Sequence, residues 1–421
     1  MNILFLDAYH EPETIAYTHL EKDLIEALVS EGHRIHIICP IPTRGVNDEI
    51  KRRYRDIMKE TQYDGYVTIE RFWAPNERKN PVIRAFRYLW CNFKTYQKAI
   101  KATNIDIVFS NSTPPTQGLM AGIITRKLKK KNSHNISFIY NLQDIFPDSL
   151  VNSKMTNKGS ILWKIGSAIE KKTYQYADYI ITISEDFKNN IIQKKVDEKK
   201  IIVIPNWIDT KKVYPVKKCD NKLFDSLKLD RTKFYVCYSG NLGHSQNLEL
   251  LIDVAKEMQS FNNEVVFVLF GEGAEKPYLE EQIQKLEINN ILLFPYQSYD
   301  KIASVFSLGD VDLIISKPGI GQSSIPSKTW GIMAAGRPIV ASFDIESELS
   351  KLIRKIGCGK TPAAGNKHQL LEALMFMYRQ NTDKMGMQGR SYVEKNLDKN
   401  ICINKYLSIF NNGCQNANSN N

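Results

Sequence analysis

The chain has 421 residues, 43% of them hydrophobic and 24% charged, with 57 Lys and Arg against 46 Asp and Glu for a net charge of +11. At this length such a composition excludes a mainly disordered chain, a collagen and a small disulfide scaffold, and it accommodates two or three domains with separate cores. The seven Cys are odd in number, widely spaced and free of any C-x-x-C pair, and the seven His form no H-x-x-x-H or Cys/His cluster, so reduced thiols are expected and a zinc site is not.

The N-terminal "MNILFLDAYH" has no basic segment ahead of a long apolar run, so it reads as a strand over Ile3–Leu6 and not as a signal peptide. No run of 18 apolar residues follows, so no spanning helix is expected. A helix runs to Ser30 and is closed by Gly32. Short apolar segments then recur at Arg34–Cys39, Tyr66–Phe72, Ile105–Ser110, Ile136–Asn141, Tyr179–Ser184 and Ile201–Pro205, with helical patterns between most of them. Several are apolar throughout, as parallel strands buried on both faces are. The same grammar restarts at Phe234–Gly240 and continues through Asn247–Met258 (helix), Val265–Gly273, "ILLFP", "VDLIIS" and "PIVASF". Repeated βα order predicts an α/β protein of two doubly wound parallel sheets. The strandless stretch from Thr210 to about Asp230 reads as the linker between them, and the tail "NNGCQNANSNN" reads as disordered.

In open α/β sheets ligands bind at the carboxyl ends of the strands. Three such places stand out in the second half. In "SGNLGHSQN", Gly240 and Gly243 allow a tight turn that bares N–H groups to a phosphate; an ordinary βα turn would look the same. "FGEG", Gly271–Gly273, lacks the third glycine of a dinucleotide fingerprint, which argues against a nicotinamide enzyme but allows close backbone approach to a ligand. The segment Pro318–Val340, "PGIGQSSIPSKTWGIMAAGRPIV", is the most informative. Ser327 is placed to cap a helix from Lys328 to Ala335, closed by Gly336. A lysine in a first helical turn opposes the helix dipole, so its presence calls for an anion such as a diphosphate.

In the first half, "YNLQDIFPD" places Asp144 and Asp148 past a strand end, and "SNSTPPTQG" follows another; turn or cap roles are equally open for both. "GDVDL" holds an Asp-x-Asp, yet Asp312 leads into an apolar run at a strand start and reads as structural. Between residues 78 and 131 there are twelve basic residues and one acid, Asp106. Within this stretch Val82, Ile83, Phe86, Leu89, Trp90, Phe93 and Ile100 recur at helical spacing, with Arg84, Arg87, Lys94, Lys98 and Lys101 largely opposite. A basic amphipathic helix bearing aromatic residues suits an anionic membrane surface, while a core-packed helix with a solvated basic face is the other reading. Arg84, Arg87, Trp90, Phe93 and Lys94 are the candidate membrane-facing residues. No aromatic RNA-binding motif or zinc finger accompanies the charge, so a nucleic-acid partner is not expected.

Taken in order, "GHRIHIIC", "STPP", "QDIFPD", "AIEKKTYQYADYIITISE", "VIPNWID", "YSGNLGHSQNLELLID", "FGEG" and "IPSKTWGIMAAGRPIV" resemble a family 4 glycosyltransferase of the GT-B type over nearly the whole chain. The likeness is strongest to the bacterial subgroup that builds O-antigen, capsule and exopolysaccharide repeat units, including the N-acetylfucosamine transferases. The resemblance implies an N-terminal acceptor domain (1–209), a C-terminal nucleotide-sugar domain (210–396), a helix returning to the first domain (397–412) and the disordered tail (413–421). It further implies a retaining, metal-independent enzyme without cofactor. The donor would be a UDP-linked N-acetylated or deoxy hexose and the acceptor a polyprenyl-diphosphate-linked saccharide. Such an enzyme would work peripherally on the cytoplasmic face of the cell membrane.

By the same resemblance Lys328 and Asp144 are catalytic candidates. Gly240, Asn241, Gln246, Gly271, Glu272, Tyr296, Ser323 and Ser327 are donor-binding candidates, and Thr14, Thr113 and Asp148 are acceptor-binding ones. The sequence departs from the family pattern in four places. Asn241 and Gln246 stand where many relatives carry a basic pair, and Ser323 and Gly331 where many carry a Glu-x7-Glu motif. Asp144 stands where many have His, and "YHEPETIAYT" lacks the glycines usual after the first strand. A sugar-nucleotide epimerase on the same fold and a non-catalytic membrane-associated scaffold are the alternatives.

Overall fold

The computed structural model describes residues 1–13, 17–77, 80–132, 135–152, 156–320 and 325–418. The chain divides into two compact units, Met1–Asn206 with Cys402–Asn421, and Trp207–Ile401.

The first unit carries eight strands: β1 (Asn2–Leu6), β2 (Arg34–Pro40), β3 (Lys59–Gln62), β4 (Val67–Phe72), β5 (Ile107–Asn111), β6 (Ser137–Leu142), β7 (Tyr179–Thr182) and β8 (Ile201–Val203). Their order is β3-β4-β2-β1-β5-β6-β7-β8. All neighbours are parallel except β3, which runs antiparallel to β4. β5 and β6 are buried along their whole length because helices cover both faces. β3, with the polar sequence KETQ, was invisible to the periodicity argument. It is a short, half-exposed edge strand, and an edge does not demand apolar residues.

The second unit adds β9 (Phe234–Ser239), β10 (Val265–Phe270), β11 (Ile291–Phe294), β12 (Val311–Ile315), β13 (Ile339–Ser342) and β14 (Gly359–Lys360). Their order is β11-β10-β9-β12-β13-β14, all parallel. Its main core joins Val236, Leu251, Val265, Phe267, Leu313 and Leu374. Five cysteines, 39, 91, 237, 358 and 402, are buried thiols outside any disulfide, acting as small core residues.

Two expectations are corrected. The stretch from Thr210 to Asp230 is strandless, but it is part of the second unit and not a free linker. Val213 and Phe224 are fully buried there, and the Asn221 side chain donates to the Ser304 carbonyl (2.8 Å). The division falls after Asn206, because Trp207 is itself buried and Ile208 bridges to Asp398 within the second unit. The tail is not disordered from residue 413: a helix runs over Lys399–Asn418. Phe410 packs on Phe5 and Phe109, and the Gly413 carbonyl accepts from the Ser137 hydroxyl (2.7 Å), which anchors residues whose composition alone promised nothing. Residues 402 onward thereby belong to the first unit.

Candidate functional site

Each sheet reverses its strand order beside one central strand, β1 in the first unit and β9 in the second, and the carboxyl ends at such a reversal form a natural crevice. In the second unit the chain leaves β9 through Gly240, at φ +150, a conformation that favours glycine. A side chain there would also meet the Lys328 ammonium, 3.3 Å from the Cβ position, and the Tyr238 hydroxyl at 3.5 Å. Gly271, after β10, abuts the Gly240 carbonyl so closely that a Cβ cannot be placed. The two glycine turns expected from sequence are thus stacked against each other at the strand ends.

Lys328 starts the helix Lys328–Ala334. Its Nζ lies 3.6 Å from the Tyr238 ring centroid, a cation–π geometry. Burial pulls its ammonium down to about 7, against the opposing pull of Asp312 and Cys237. Tyr238 donates its hydroxyl hydrogen to the Asn241 carbonyl (2.6 Å), fixing the turn. Tyr296 is exposed, and its hydroxyl accepts from the Glu272 amide. The structure therefore brings Gly240, Asn241, Gly271, the Glu272 backbone, Tyr296 and Lys328 together.

Other donor-side expectations need correction. The Glu272 carboxylate is paired with Lys276 (2.8 Å), so its own charge is already offset. The Gln246 carbonyl oxygen accepts from the Gly243 amide (3.1 Å) and shapes the turn. Ser327 occupies the N-cap position with helical φ and makes no capping bond, and the helix is shorter than expected. Gly336 does follow it at φ +66. Gly331 packs on the Phe306 ring, leaving no room for a side chain, which accounts physically for the missing second Glu. Ser323 lies outside the described residues.

In the first unit the carboxyl edge carries a buried polar network that the sequence reading missed. His10 Nδ1 and Glu21 Oε1 are 2.7 Å apart. Asn111 Nδ2 donates to both Asp7 (3.2 Å) and Glu21 (3.1 Å), and its own carbonyl accepts from Asn141 (2.8 Å). Gln143 continues the chain from Asn141 (3.2 Å) to Asn206 (2.9 Å), and Tyr406 of the returning helix donates to Asn141 (3.1 Å). Burial raises the Asp7 carboxyl well above its usual range and Glu21 to about 8, and lowers His10. Ligand atoms of Asp7, His10 and Glu21 lie within 4.8 Å of one another, a spacing compatible with a metal ion, although hydrogen bonds inside the cluster already use most of them. The one available signal was polar residues just after the first strand.

Asp144 lies, only partly exposed, on the loop after β6. That loop is held by the Ser112 hydroxyl, which accepts from the amides of Gln143 (3.0 Å) and Asp144 (3.1 Å). The Asp144 carboxylate is hydrogen-bonded to Ser149 and the Ile145 amide, while partial burial raises its carboxyl. Thr113 is half-buried next to Ser112. Asp148 is a correction: it pairs with Lys194 (2.8 Å) and Asn190 (3.2 Å), and Lys194 also bonds Glu170 (2.6 Å), so this carboxylate ties helices together. Thr14 lies outside the described residues.

The helix Pro81–Ala99 carries its apolar stripe outward. Phe86, Leu89 and Phe93 are 58%, 64% and 52% exposed. Trp90 is half-buried, edge-on to Trp73, donating to the Trp73 carbonyl (2.9 Å), with Lys94 Nζ 4.9 Å from its ring centroid. Arg84 lies 3.7 Å from Glu77. Arg87 is the exception to the membrane-facing set: it is 1% exposed and donates to the Pro75 carbonyl. Among the described residues no helix is long and apolar enough to cross a membrane.

This architecture, with two Rossmann-like sheets and stacked glycine turns beside a buried lysine at the second reversal, is that of the GT-B class. Residues 22–212 match the family model Glycosyltransferase Family 4, and residues 220–386 match Glycosyl transferases group 1; the two matches lie side by side over most of the chain and support a glycosyltransferase of the family 4 type. It is 28% identical over 277 residues to the putative colanic acid biosynthesis glycosyl transferase WcaI of Escherichia coli K12, covering 64% of this chain and 66% of that protein, just under two thirds. It is 24% identical over 351 residues to the probable glycosyltransferase WbjE of Pseudomonas aeruginosa, covering 81% and 84%. Among solved structures, sucrose-phosphate synthase from Thermosynechococcus elongatus superposes with a TM-score of 0.73 at 15% identity over 98% of each chain. Anabaena HepE in complex with UDP gives 0.69 at 16% identity over 98% of this chain and 100% of that one.

Proposed function

We propose that the protein transfers a sugar, an N-acetylated or deoxy hexose, with retention from a UDP-linked donor to a polyprenyl-diphosphate-linked saccharide in capsule, O-antigen or exopolysaccharide synthesis. The observation that carries the donor side is Lys328 on the Tyr238 ring beside Gly240, at the reversal point of the second sheet. A buried ammonium next to bare backbone is suited to the charge that develops on a leaving diphosphate, and in a water-poor site such a charge is worth far more than in solution. Lys328 therefore takes the catalytic role. Asn241 and Tyr296 border the same position and are assigned to the donor. With an ammonium offsetting the leaving group, this reading calls for no metal ion.

On the acceptor side Asp144 is assigned to a sugar hydroxyl. Its raised carboxyl also suits proton acceptance from the acceptor. A front-face retaining reaction lets the leaving phosphate serve as base, so no essential general base is invoked. The polysaccharide assignment is supported by the relative named for colanic acid synthesis. The UDP assignment is supported by the structural neighbour crystallised with that nucleotide. Work on a lipid-linked acceptor at the cytoplasmic membrane face is supported by the outward apolar side of Pro81–Ala99 and the basic excess of residues 78–131.

The test is calorimetric titration with UDP and GDP. UDP should bind, and Lys328→Ala should weaken it by more than about tenfold, since a buried charge-assisted contact is lost. Preference for GDP would change the donor class. No binding of either nucleotide by folded protein would sink the donor assignment.

A further inference from the structure

Three loops leave the carboxyl ends of the neighbouring parallel strands β1, β2 and β4, and each carries one member of a polar cluster that the proposed transfer leaves unused: Tyr9, Arg44 and Glu77. The helix Pro81–Ala99 adds Arg84. Glu77, with 13% side-chain exposure, is held by the Tyr9 hydroxyl, which donates to its Oε2 (3.0 Å). Its Oε1 faces two guanidinium groups, Arg84 at 3.7 Å and Arg44 at 4.0 Å. Arg44 also lies against the Tyr9 ring, 5.4 Å from the centroid. The loop that brings Arg44 is fixed in its own right: the fully buried Glu13 carboxylate accepts from the amides of Thr43 (2.7 Å) and Arg44 (2.8 Å).

Glu77 does not exhaust this pair. One carboxylate stands between two guanidinium groups, which leaves a positive charge over. Both separations exceed hydrogen-bond length. Arg84 Nε is moreover a buried donor without a hydrogen-bond partner among the described residues. A buried donor left unmade is costly, and an oxyanion set between the two arginines would satisfy it. The Arg44 and Arg84 side chains are 53% and 39% exposed, so a ligand can reach them. Guanidinium forks match phosphate oxygens bidentately. The carboxyl ends of strands beside a reversal of order are also where an α/β sheet takes its ligand. The same turns of the helix carry Phe86 and Leu89 on the outward side, so the cation pair and the apolar face belong to one short stretch of chain.

We propose that Arg44 and Arg84 form the diphosphate site of the acceptor: they hold the diphosphate that joins the acceptor saccharide to its lipid, with Glu77 spacing the two guanidinium groups. This rests on the reading of the acceptor as a lipid-linked saccharide diphosphate, and it gives that reading a place within the first unit. The site binds and positions; no bond or proton changes hands at it. Arg84 thereby leaves the membrane-facing set and becomes an acceptor residue.

The test is calorimetric titration of the full chain with farnesyl diphosphate, with UDP present in saturating amount to fill the other diphosphate position. The wild type should bind this probe, and farnesyl monophosphate more weakly by at least about tenfold, since the second phosphoryl group reaches the second arginine. Arg44→Lys combined with Arg84→Lys keeps both charges and removes both forks, and it should weaken farnesyl diphosphate by at least about tenfold. Its UDP affinity and its co-sedimentation with phosphatidylglycerol vesicles should be unchanged, because a membrane surface responds to charge and not to fork geometry. Undiminished binding of farnesyl diphosphate by the double variant would overturn the proposal and leave the arginines a clamp on Glu77. Loss of vesicle binding with farnesyl diphosphate binding intact would overturn it as well, by making lipid headgroups the anion. Should the double variant not fold, Arg44→Lys alone, at a half-exposed side chain, should lose about threefold or more, and no loss there would be equally fatal. A wild type that binds UDP but neither farnesyl compound would instead sink the lipid-linked acceptor reading and leave the donor site standing.

Discussion

Glu21 owes its charge state to its surroundings. Buried beside Asp7 and held to His10 and Asn111, its carboxyl is raised to about 8. A carboxyl raised above its unfolded value gives stability that is fully present below about pH 4.5 and is lost as pH rises through 8. Glu21→Gln is neutral in both states and lacks that dependence. The melting temperature of the variant should therefore gain on the wild type between pH 5 and pH 8.5, by an amount on the order of 1–3 kcal/mol in stability. A difference of the same size at both pH values would show that Glu21 does not hold a proton in the fold. The partners that make this environment, Asn111 and Asn141, come from β5 and β6. Lys328 was legible because a lysine at a helix start conflicts with local electrostatics. Asp7, His10 and Glu21 were not, because no local rule joins a strand end to the buried side of the next helix.

At the scale of the element, the helix Pro81–Ala99 was legible in its period and not in its facing. Apolar and basic residues alternate as in a core-packed helix, yet Phe86, Leu89 and Phe93 point to solvent, and Arg87, Asn92 and Thr95 point inward. The inward polar groups find partners: Arg87 has the Pro75 carbonyl and Asn92 the Thr116 hydroxyl (2.8 Å), which removes most of the desolvation cost of turning them in. An outward face of large apolar side chains with cations at its border is the profile of an interfacial helix. The helix Ile161–Tyr176 adds outward Ile161, Leu162 and Ile165. Replacing Phe86 and Phe93 by Asp should reduce co-sedimentation with anionic vesicles by at least about tenfold, since two exposed aromatic anchors are lost and two negative charges are set against the surface. UDP affinity should be unchanged, because these residues belong to the first unit. Undiminished vesicle binding by a folded variant would refute the membrane role of this face.

Over the whole molecule, the two-sheet architecture was legible because strands buried on both faces leave long apolar runs, and the βα alternation restarts after residue 230. Assignment of the C-terminal residues to the first unit came from the family resemblance, and the packing shows what enforces it. Phe410 is fully buried, with ring centroids 6.5 Å from Phe5 and 5.6 Å from Phe109, so a residue near the end of the chain completes the core around the central strand β1. Phe410→Ala removes that filling and leaves a cavity, at a cost of about 3–5 kcal/mol. The loss should be felt where the ring sits. Amide exchange should rise in peptides spanning Asn2–Leu6 and Ile107–Asn111, while those spanning Phe234–Ser239 and Val311–Ile315 stay protected, because the second unit keeps its own core. UDP affinity should survive at low temperature if the nucleotide is held by the second unit alone. A uniform rise in exchange across both sheets would mean that the units unfold as one, and the helix Lys399–Asn418 would then be stabilising the whole chain through Phe410 rather than finishing one core.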